Sequence, residues 1–362
     1  MQILTDSYDV KSFLGETPIL TCTIRVTDQC NLKCVQCYSR GGEKCDTKVL
    51  SFDEMVGLLL ELKKHNVMRL SITGGEPFMR TDMLDILERA SQLGFEIYIS
   101  TNGNLSIDFK RLAKIKVKVM QISVDGTQEL HDEIRGQKGS FSKAIDFIKN
   151  IKCEAPNTKI GVAFTLMKRN KDCMIELFEI LRKLHIDIFS IIPVQRIGRA
   201  IDEYSLSPIE IQQRMGDMAE HWRKTGKDVE LNTMVAPALV PKVLRMEGIY
   251  SNGYLCTFPY CIAVSADGRF SLCDGLLDNP EFTLGTVKDG LKAVIQNERI
   301  QSILQVSSCD LSGVCAKCIV RDFCVGGCRA DAYNASKSLG GPDVMCQSYY
   351  TAGIFPREFM EN

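Results

Sequence analysis

The chain has 362 residues, with 44 Lys and Arg against 45 Asp and Glu and an apolar fraction of 45%. That balance lacks the basic excess that binds nucleic acid, and the length suits one large domain with a smaller one. No apolar run approaches the roughly 18 residues of a membrane span, and Met1-Gln2-Ile3-Leu4-Thr5-Asp6 lacks the pattern of a secretion signal, so the expected location is cytoplasmic, with no nucleic-acid or membrane partner.

After an N-terminal segment (1–17), strands are predicted at 20–26, 67–72, 95–100, 117–124, 159–166 and 186–192. Helices lie between them. Ser51 with Glu54 forms a capping box, followed by Phe52, Met55, Leu58, Leu59 and Leu62 at helical spacing. Thr81 is predicted to cap the next helix, with Leu84, Leu87 and Ala90 on one face and Gly94 at its end. Ser140 opens a third, carrying Phe141, Ala144, Ile145 and Ile148. Repeated βαβ units imply a parallel sheet. The expected fold class is α/β: a partial (β/α)6 barrel over 18–205, with its chemistry at the C-terminal strand ends. Ser207-Pro208-Ile209-Glu210 starts another helix, running to about Lys224 in a bridging segment (206–253). A cysteine-rich region (254–350) and a tail (351–362) complete the chain.

Cys30, Cys34 and Cys37 follow the first strand as C-x3-C-x2-C. An iron–sulfur cluster normally takes four cysteines, so three on one loop leave an iron open to an exchangeable ligand. A zinc site is the alternative, although zinc favours four ligands and C-x2-C pairs. Gly74-Gly75-Glu76-Pro77 follows the second strand, and two glycines allow close backbone approach to a ligand. By itself such a segment is also a common turn.

Taken together, these two elements resemble the radical S-adenosylmethionine (radical SAM) superfamily. The resemblance implies that SAM fills the open iron of a [4Fe-4S] cluster on Cys30, Cys34 and Cys37. It places Gly74, Gly75, Glu76 and Pro77 on the methionine ammonium and Tyr38 against the adenine. Asn102 and Ser123, at the ends of the third and fourth strands, line the SAM pocket in the family. Arg135 would pair with the SAM carboxylate, since a guanidinium suits planar oxyanions. Otherwise these three are solvated turn residues.

The chain has sixteen cysteines, and many cluster near its C-terminus. Cys256, Cys273, Cys315-x2-Cys318-x5-Cys324-x3-Cys328 and Cys346, with Gly268 between the first two, resemble the SPASM extension of radical SAM enzymes, and Cys261 adds an eighth thiol. Eight thiols saturate two four-iron clusters. The spacing is similar to that of anaerobic sulfatase-maturating enzymes. That likeness implies one auxiliary cluster on Cys256, Cys261, Cys273 and Cys328 and another on Cys315, Cys318, Cys324 and Cys346, three [4Fe-4S] clusters in all. Zinc stays open for the C-x2-C pair. Asp274, after Cys273, is the candidate catalytic base, with a solvent-facing turn as its alternative. Gly198-Arg199-Ala200, after the sixth strand, resembles the branch that includes pyrroloquinoline-quinone, mycofactocin and haem-modifying enzymes. Cys22 and Cys173 read as packing residues, whereas Cys45 and Cys309 sit in loop-like sequence where either could face a substrate.

The function implied is that of an oxidoreductase or maturase. It would use an external one-electron reductant of the flavodoxin or ferredoxin type and reductively cleave SAM to a 5′-deoxyadenosyl radical. That radical would abstract hydrogen from a substrate carbon, with the auxiliary clusters accepting electrons. The expected substrate is a ribosomal peptide or protein side chain, undergoing oxidation or crosslinking. The alternative is a small molecule or tetrapyrrole. The 29 residues before Cys30 are too few for a leader-binding domain, which weakens the peptide reading unless a separate partner binds the leader. A non-catalytic electron carrier is a third class, disfavoured because a carrier has no need of a SAM pocket. Exposed four-iron clusters also point to a reducing, anaerobic interior.

Overall fold

The computed structural model describes residues 20–43, 48–195, 197–249, 260–296 and 308–361. Six parallel strands appear where the alternating pattern puts them: Thr21–Arg25 (β1), Arg69–Thr73 (β2), Glu96–Thr101 (β3), Val117–Ser123 (β4), Lys159–Leu166 (β5) and Ile188–Pro193 (β6). Between them run Phe52–Lys64 (α1), Met83–Gln92 (α2), Phe109–Leu112 (α3), Gln128–Arg135 (α4), Ser140–Glu154 (α5) and Met174–Arg182 (α6). Each strand pairs in parallel with the next, the arrangement of a barrel that is built from βαβ units.

Side-chain alternation along the strands divides the barrel into two environments. Ile24, Leu70, Ile72, Ile97, Ile99, Met120 and Ile122 share one apolar cluster with Met55, Leu59, Leu62 and Leu87 of the helices. The intervening positions are small or polar: Thr73, Ser100, Gln121, Ser123 and Thr165 face an interior cavity. The sheet is therefore greasy towards its helices and wet towards its axis.

The capping box of α1 forms, with Ser51 accepting from the Glu54 N–H. Phe52 departs from the expected apolar face: as the first helical residue it is exposed. The cap of α2 is Asp82 rather than Thr81, and Asp82 pairs with Arg80 instead of the helix N–H groups. Gly139, at φ 81°, precedes α5 and makes Ser140 its first helical residue. The helix start at Ser207 is observed, and Ser207 and Glu210 form a capping box there that opens Pro208–Thr225 (α7).

Among the described residues the sheet extends beyond the six expected strands to ten. Glu230–Thr233 (β7) adds in parallel to β6. On the other edge Cys261–Val264 (β8) pairs in parallel with β1, and Arg269–Ser271 (β9) and Gly285–Thr286 (β10) continue antiparallel. The cysteine-rich region is thus stitched into the barrel sheet beside the strand that carries the Cys30 loop. Among the described residues no helix is long and apolar enough to cross a membrane.

Candidate active site

The strand ends converge on a cavity of about 420 Å³. Cys30, Cys34 and Cys37 line it with Tyr38, Gly74, Gly75, Asn102, Ser123 and Arg135. Cys273, Gly275, Cys328 and Ala330 of the C-terminal region line it too. One space therefore borders both the three-thiol loop and two thiols from the far end of the chain.

The cluster loop is held by backbone contacts. Gly75 and Glu76 donate N–H groups to Thr27 and Gln29 carbonyls at 2.7 and 2.8 Å. A Cβ on Gly74 would stand 2.6 Å from the Thr27 carbonyl oxygen, and one on Gly75 2.2 Å from that of Gln29. The two glycines are needed for loop-to-loop contact, a constraint separate from the ligand approach expected of them. Glu76 and Pro77 do not line the cavity. Glu76 is buried, and its carboxylate accepts from Asn102 N at 2.7 Å, Thr101 Oγ1 at 2.8 Å and Phe78 N at 3.2 Å. Burial pushes its pKa up against the pull of these donors. Its place is as a brace between β2 and β3.

Asn102 extends that brace to the thiols: its Nδ2 donates to Asn31 Oδ1 at 2.8 Å and lies 3.8 Å from Cys30 Sγ. Arg135 sits differently from expectation. Its Nη2 meets Asp125 at 2.5 Å, with both side chains buried, and its Nη1 donates to Cys34 Sγ at 3.6 Å. The guanidinium is thus already paired, leaving Nε without a hydrogen-bond partner. Asp125 also accepts from Thr165 N and from Gln36, which lies between Cys34 and Cys37. Truncating one member of a buried ion pair strands the other, so Asp125→Asn is expected to cost about 3–5 kcal/mol of stability, read from denaturant midpoints. An unchanged midpoint would remove this network from the account.

Behind it, His131 accepts from Asp125 N at 3.1 Å and contacts Ser140 Oγ at 3.2 Å. Burial first, and then the Arg135 charge, push its pKa down to about 3. Protons therefore favour the unfolded chain. This contribution to stability is complete above the ordinary histidine value, about 6.5, and erodes as pH falls towards about 3. At pH 5 the loss is about 2 kcal/mol. Melting temperatures between pH 7 and 5 should fall less steeply for His131→Gln than for the parent. Parallel slopes would refute the assignment.

Asp274 does not point freely at the cavity. Its Oδ1 accepts from Arg25 Nη2 at 3.1 Å and its Oδ2 from the Tyr38 hydroxyl at 2.5 Å. Arg25, 2% exposed on β1, also meets Asp278 at 2.8 Å. Both oxygens of the expected base are engaged in fastening the C-terminal region to β1 and the cluster loop. Burial and the neighbouring Asp274 push the Tyr38 pKa upward. Tyr38 lines the cavity as expected, tethered through its hydroxyl.

Gly198-Arg199-Ala200 has a mechanical role. Arg199 N donates to Cys37 O and Nε to Cys34 O, both at 2.9 Å, and Nη1 donates to Gly41 O at 3.1 Å and Glu43 at 2.9 Å. Gly198 has φ 71°, and a Cβ there would stand 2.3 Å from Cys37 O. The segment after β6 closes over the cluster loop. Sequence reasoning passed over Gln36, Asp125, Arg25 and the polar positions Ser100, Gln121 and Thr165. The signal available for the last three was a polar residue recurring every second position in otherwise apolar strands.

The remaining thiols fall into two sets. Cys315, Cys318, Cys324 and Cys346 together line one recess with Asp343 and Gly326. Cys273 and Cys328 face the main cavity, and Cys261 Sγ donates to Leu272 O at 3.4 Å. Cys256 and Cys45 lie outside the described residues. Cys22 is fully buried in β1, as expected for packing, and Cys309 is exposed. Burial pushes Cys30 up to about 11 and Cys324 up to about 12, so metal loading must displace protons. Among the described residues no three or more His, Cys, Asp or Glu side chains form a group that could hold a metal ion. Among the residues that line the cavity, Gln36 Oε1, Arg135 Nε and Arg199 Nη2 are buried without a hydrogen-bond partner. A thiol triad beside unpaired polar atoms fits a cluster with a polar ligand.

Comparison with known proteins agrees. Residues 24–181 match the radical SAM superfamily model. The Fe-coproporphyrin III synthase of Methanosarcina barkeri is 31% identical over 205 residues, 55% of this chain and 50% of that protein. The mycofactocin maturase MftC of Mycolicibacterium smegmatis is 27% identical over 349 residues, 93% of this chain and 84% of that one. The chain thus spans half the length of the first relative and most of the second. In fold it is similar to SuiB of Streptococcus suis, with a TM-score of 0.73 at 18% identity, covering 91% of this chain and 77% of that one. With its cysteine loop, parallel barrel and cysteine-rich extension, the chain carries a radical SAM domain over residues 24–181 and is similar along most of its length to a named maturase.

Proposed function

We propose that the chain is a radical SAM oxidoreductase that matures a peptidyl substrate, a ribosomal peptide or a protein side chain, by oxidation or crosslinking. The observation that carries this reading is that one cavity is lined both by Cys30, Cys34 and Cys37 and by Cys273 and Cys328. A substrate in that cavity lies beside a radical source and an electron acceptor at once. When bound, the SAM-loaded cluster supplies a carbon-centred radical that removes hydrogen from an unactivated carbon.

The chain's own residues bind, orient and shield. Cys30, Cys34 and Cys37 hold the N-terminal cluster. Gly74 and Gly75 present backbone to SAM, with Asn102, Ser123 and Tyr38 around it, while Glu76, Pro77 and Arg135 support that wall. Asp274 fastens the C-terminal region to the cluster loop and so fixes the gap the substrate must fit. Cys261, Cys273 and Cys328 with Cys256 hold one auxiliary cluster, and Cys315, Cys318, Cys324 and Cys346 the other. A flavodoxin- or ferredoxin-type reductant supplies electrons in a reducing cytoplasm, and a separate protein presents the peptide's leader.

A relative named for an iron porphyrin keeps a tetrapyrrole in view. Against it stands the charge of the walls. A carboxylated macrocycle calls for free cations, yet the guanidinium groups of the described lining arginines are each paired with a carboxylate, Arg135 with Asp125 and Arg199 with Glu43, and Arg199 also with two carbonyls. Neutral polar walls suit a peptide side chain. The test is anaerobic reconstitution with SAM and dithionite, followed by mass spectrometry of peptides encoded beside the gene and of iron porphyrins. A peptide losing two hydrogens with formation of 5′-deoxyadenosine supports the proposal. Turnover of a porphyrin alone replaces the substrate, and absence of 5′-deoxyadenosine with any substrate refutes the activity.

A further inference from the structure

Cys324 and Cys328 belong to different thiol sets, one lining the four-thiol recess and the other the main cavity. Only Val325, Gly326 and Gly327 separate them, all three in the left-handed region at φ 48°, 78° and 69°. Such a run is unusual for a valine and needs neighbours that fix it. Two buried charges press on the glycines. A Cβ on Gly326 would stand 2.4 Å from Arg329 Nη2, and one on Gly327 2.3 Å from Asp343 Oδ2. The guanidinium and the carboxylate therefore flank the junction between the two thiol sets.

Arg329 is 4% exposed, which is rare for an arginine without full pairing. Its Nη1 donates to Leu339 O and Gly341 O, both at 2.7 Å. Those bonds explain a structural lock, but not the rest of the group: Nε and Nη2 are buried without a hydrogen-bond partner. Buried donors left unsatisfied are costly. Asp343 is 1% exposed, lines the recess, accepts from Cys346 N at 2.8 Å and donates its own N–H to Cys315 Sγ at 3.3 Å.

We propose that Arg329 and Asp343 are an opposed pair of tuning residues for the centre held by Cys315, Cys318, Cys324 and Cys346. The buried guanidinium raises its reduction potential and the buried carboxylate lowers it. This inference rests on the auxiliary-cluster reading above. The physical ground is that a reduced cluster carries one more negative charge than the oxidised one. A fixed positive charge across Gly326 favours the reduced form, and a fixed negative charge across Gly327 opposes it.

The experiment is a potentiometric titration of reconstituted holoenzyme followed by electron paramagnetic resonance, with iron counted in the same samples. At the parent's midpoint, Arg329→Gln should show a reduced-to-oxidised ratio about tenfold smaller, or 59 mV lower for one electron. Arg329→Lys keeps the charge while losing the fork, and should stay near the parent. Asp343→Asn keeps an acceptor for the Cys346 N–H and should shift upward. A lock acting through packing alone would not give opposite signs. An unshifted midpoint in Arg329→Gln with full iron overturns the proposal, as do equal shifts in the Gln and Lys variants. If the Gln variant loses its iron, Asp343→Asn decides, and a midpoint that is unmoved or lower overturns the proposal. A parent enzyme holding only about four iron atoms instead refutes the auxiliary clusters, and this inference falls with them.

Discussion

Replacing Cys34 with alanine is expected to abolish 5′-deoxyadenosine formation while sparing the C-terminal clusters. Cys34 is 6% exposed, takes a hydrogen bond from Arg135 Nη1 and has its carbonyl gripped by Arg199 Nε. It is thus the most tightly framed of the three loop thiols. A cluster with three protein ligands has no spare to lose, since its fourth iron is reserved for SAM. The C-terminal thiols come from another segment, and four of them line a separate recess, so their iron should remain. Three four-iron clusters hold about twelve irons, and the variant should hold about eight. Iron analysis and chromatography of the nucleoside products check both halves. A variant that keeps all its iron and still cleaves SAM would remove Cys34 from the centre, and one that loses all iron would show that the centres assemble together.

The second large effect is expected at Gly75. An alanine Cβ there would stand 2.2 Å from the Gln29 carbonyl oxygen and 2.7 Å from that of Asp28, whereas real Cβ contacts essentially never fall below 3.0 Å. The obstacle is backbone on both sides, so no side chain can swing away. The loop carrying Cys30 must therefore retreat by at least 0.8 Å, the difference between 3.0 and 2.2 Å. It must do so against the hydrogen bonds from Gly75 N and Glu76 N that hold it in place. A misplacement near 1 Å costs about 10²-fold in rate where geometry governs the reaction. Gly75→Ala should lower SAM cleavage by about that factor and weaken SAM binding in isothermal titration. Gly57→Ala, where a Cβ meets nothing within 4 Å, is the matched control and should behave as the parent. Equal activity in the two variants would show that the glycines matter for another reason.

These predictions separate the residues that hold SAM from those that hold the holders. Glu76 was expected at the ligand and instead braces β2 against β3. Arg135 was expected on a carboxylate of SAM and already has one in Asp125. Asp274 was expected as a free base and instead joins Arg25 to Tyr38. In each case a charged residue beside a recognisable motif was read as ligand-facing. A charge removed from water needs a fixed partner, and each has one: Glu76 in Thr101 and Asn102, Arg135 in Asp125, and Asp274 in Arg25. Arg25 and Asp274 are 249 positions apart, beyond the reach of any local pattern.

What the amino-acid order determined by itself was whatever depends on short-range chemistry. Three thiols within eight residues announce a cluster with an open iron. Alternating strand and helix patterns announce a parallel sheet, and the capping box at Ser51 and the Ser207-Pro208 start mark helices where they occur. Tertiary structure alone decided which segments meet. It brought Cys273 and Cys328 to the cavity that Cys30 lines, ran β8 alongside β1, and folded Arg199 back over the Cys34 and Cys37 carbonyls. The physical reason is that a motif encodes its chemistry in bonds a few residues long. The partner that neutralises, clamps or faces it is chosen by packing of the whole sheet, a choice not written at either position alone.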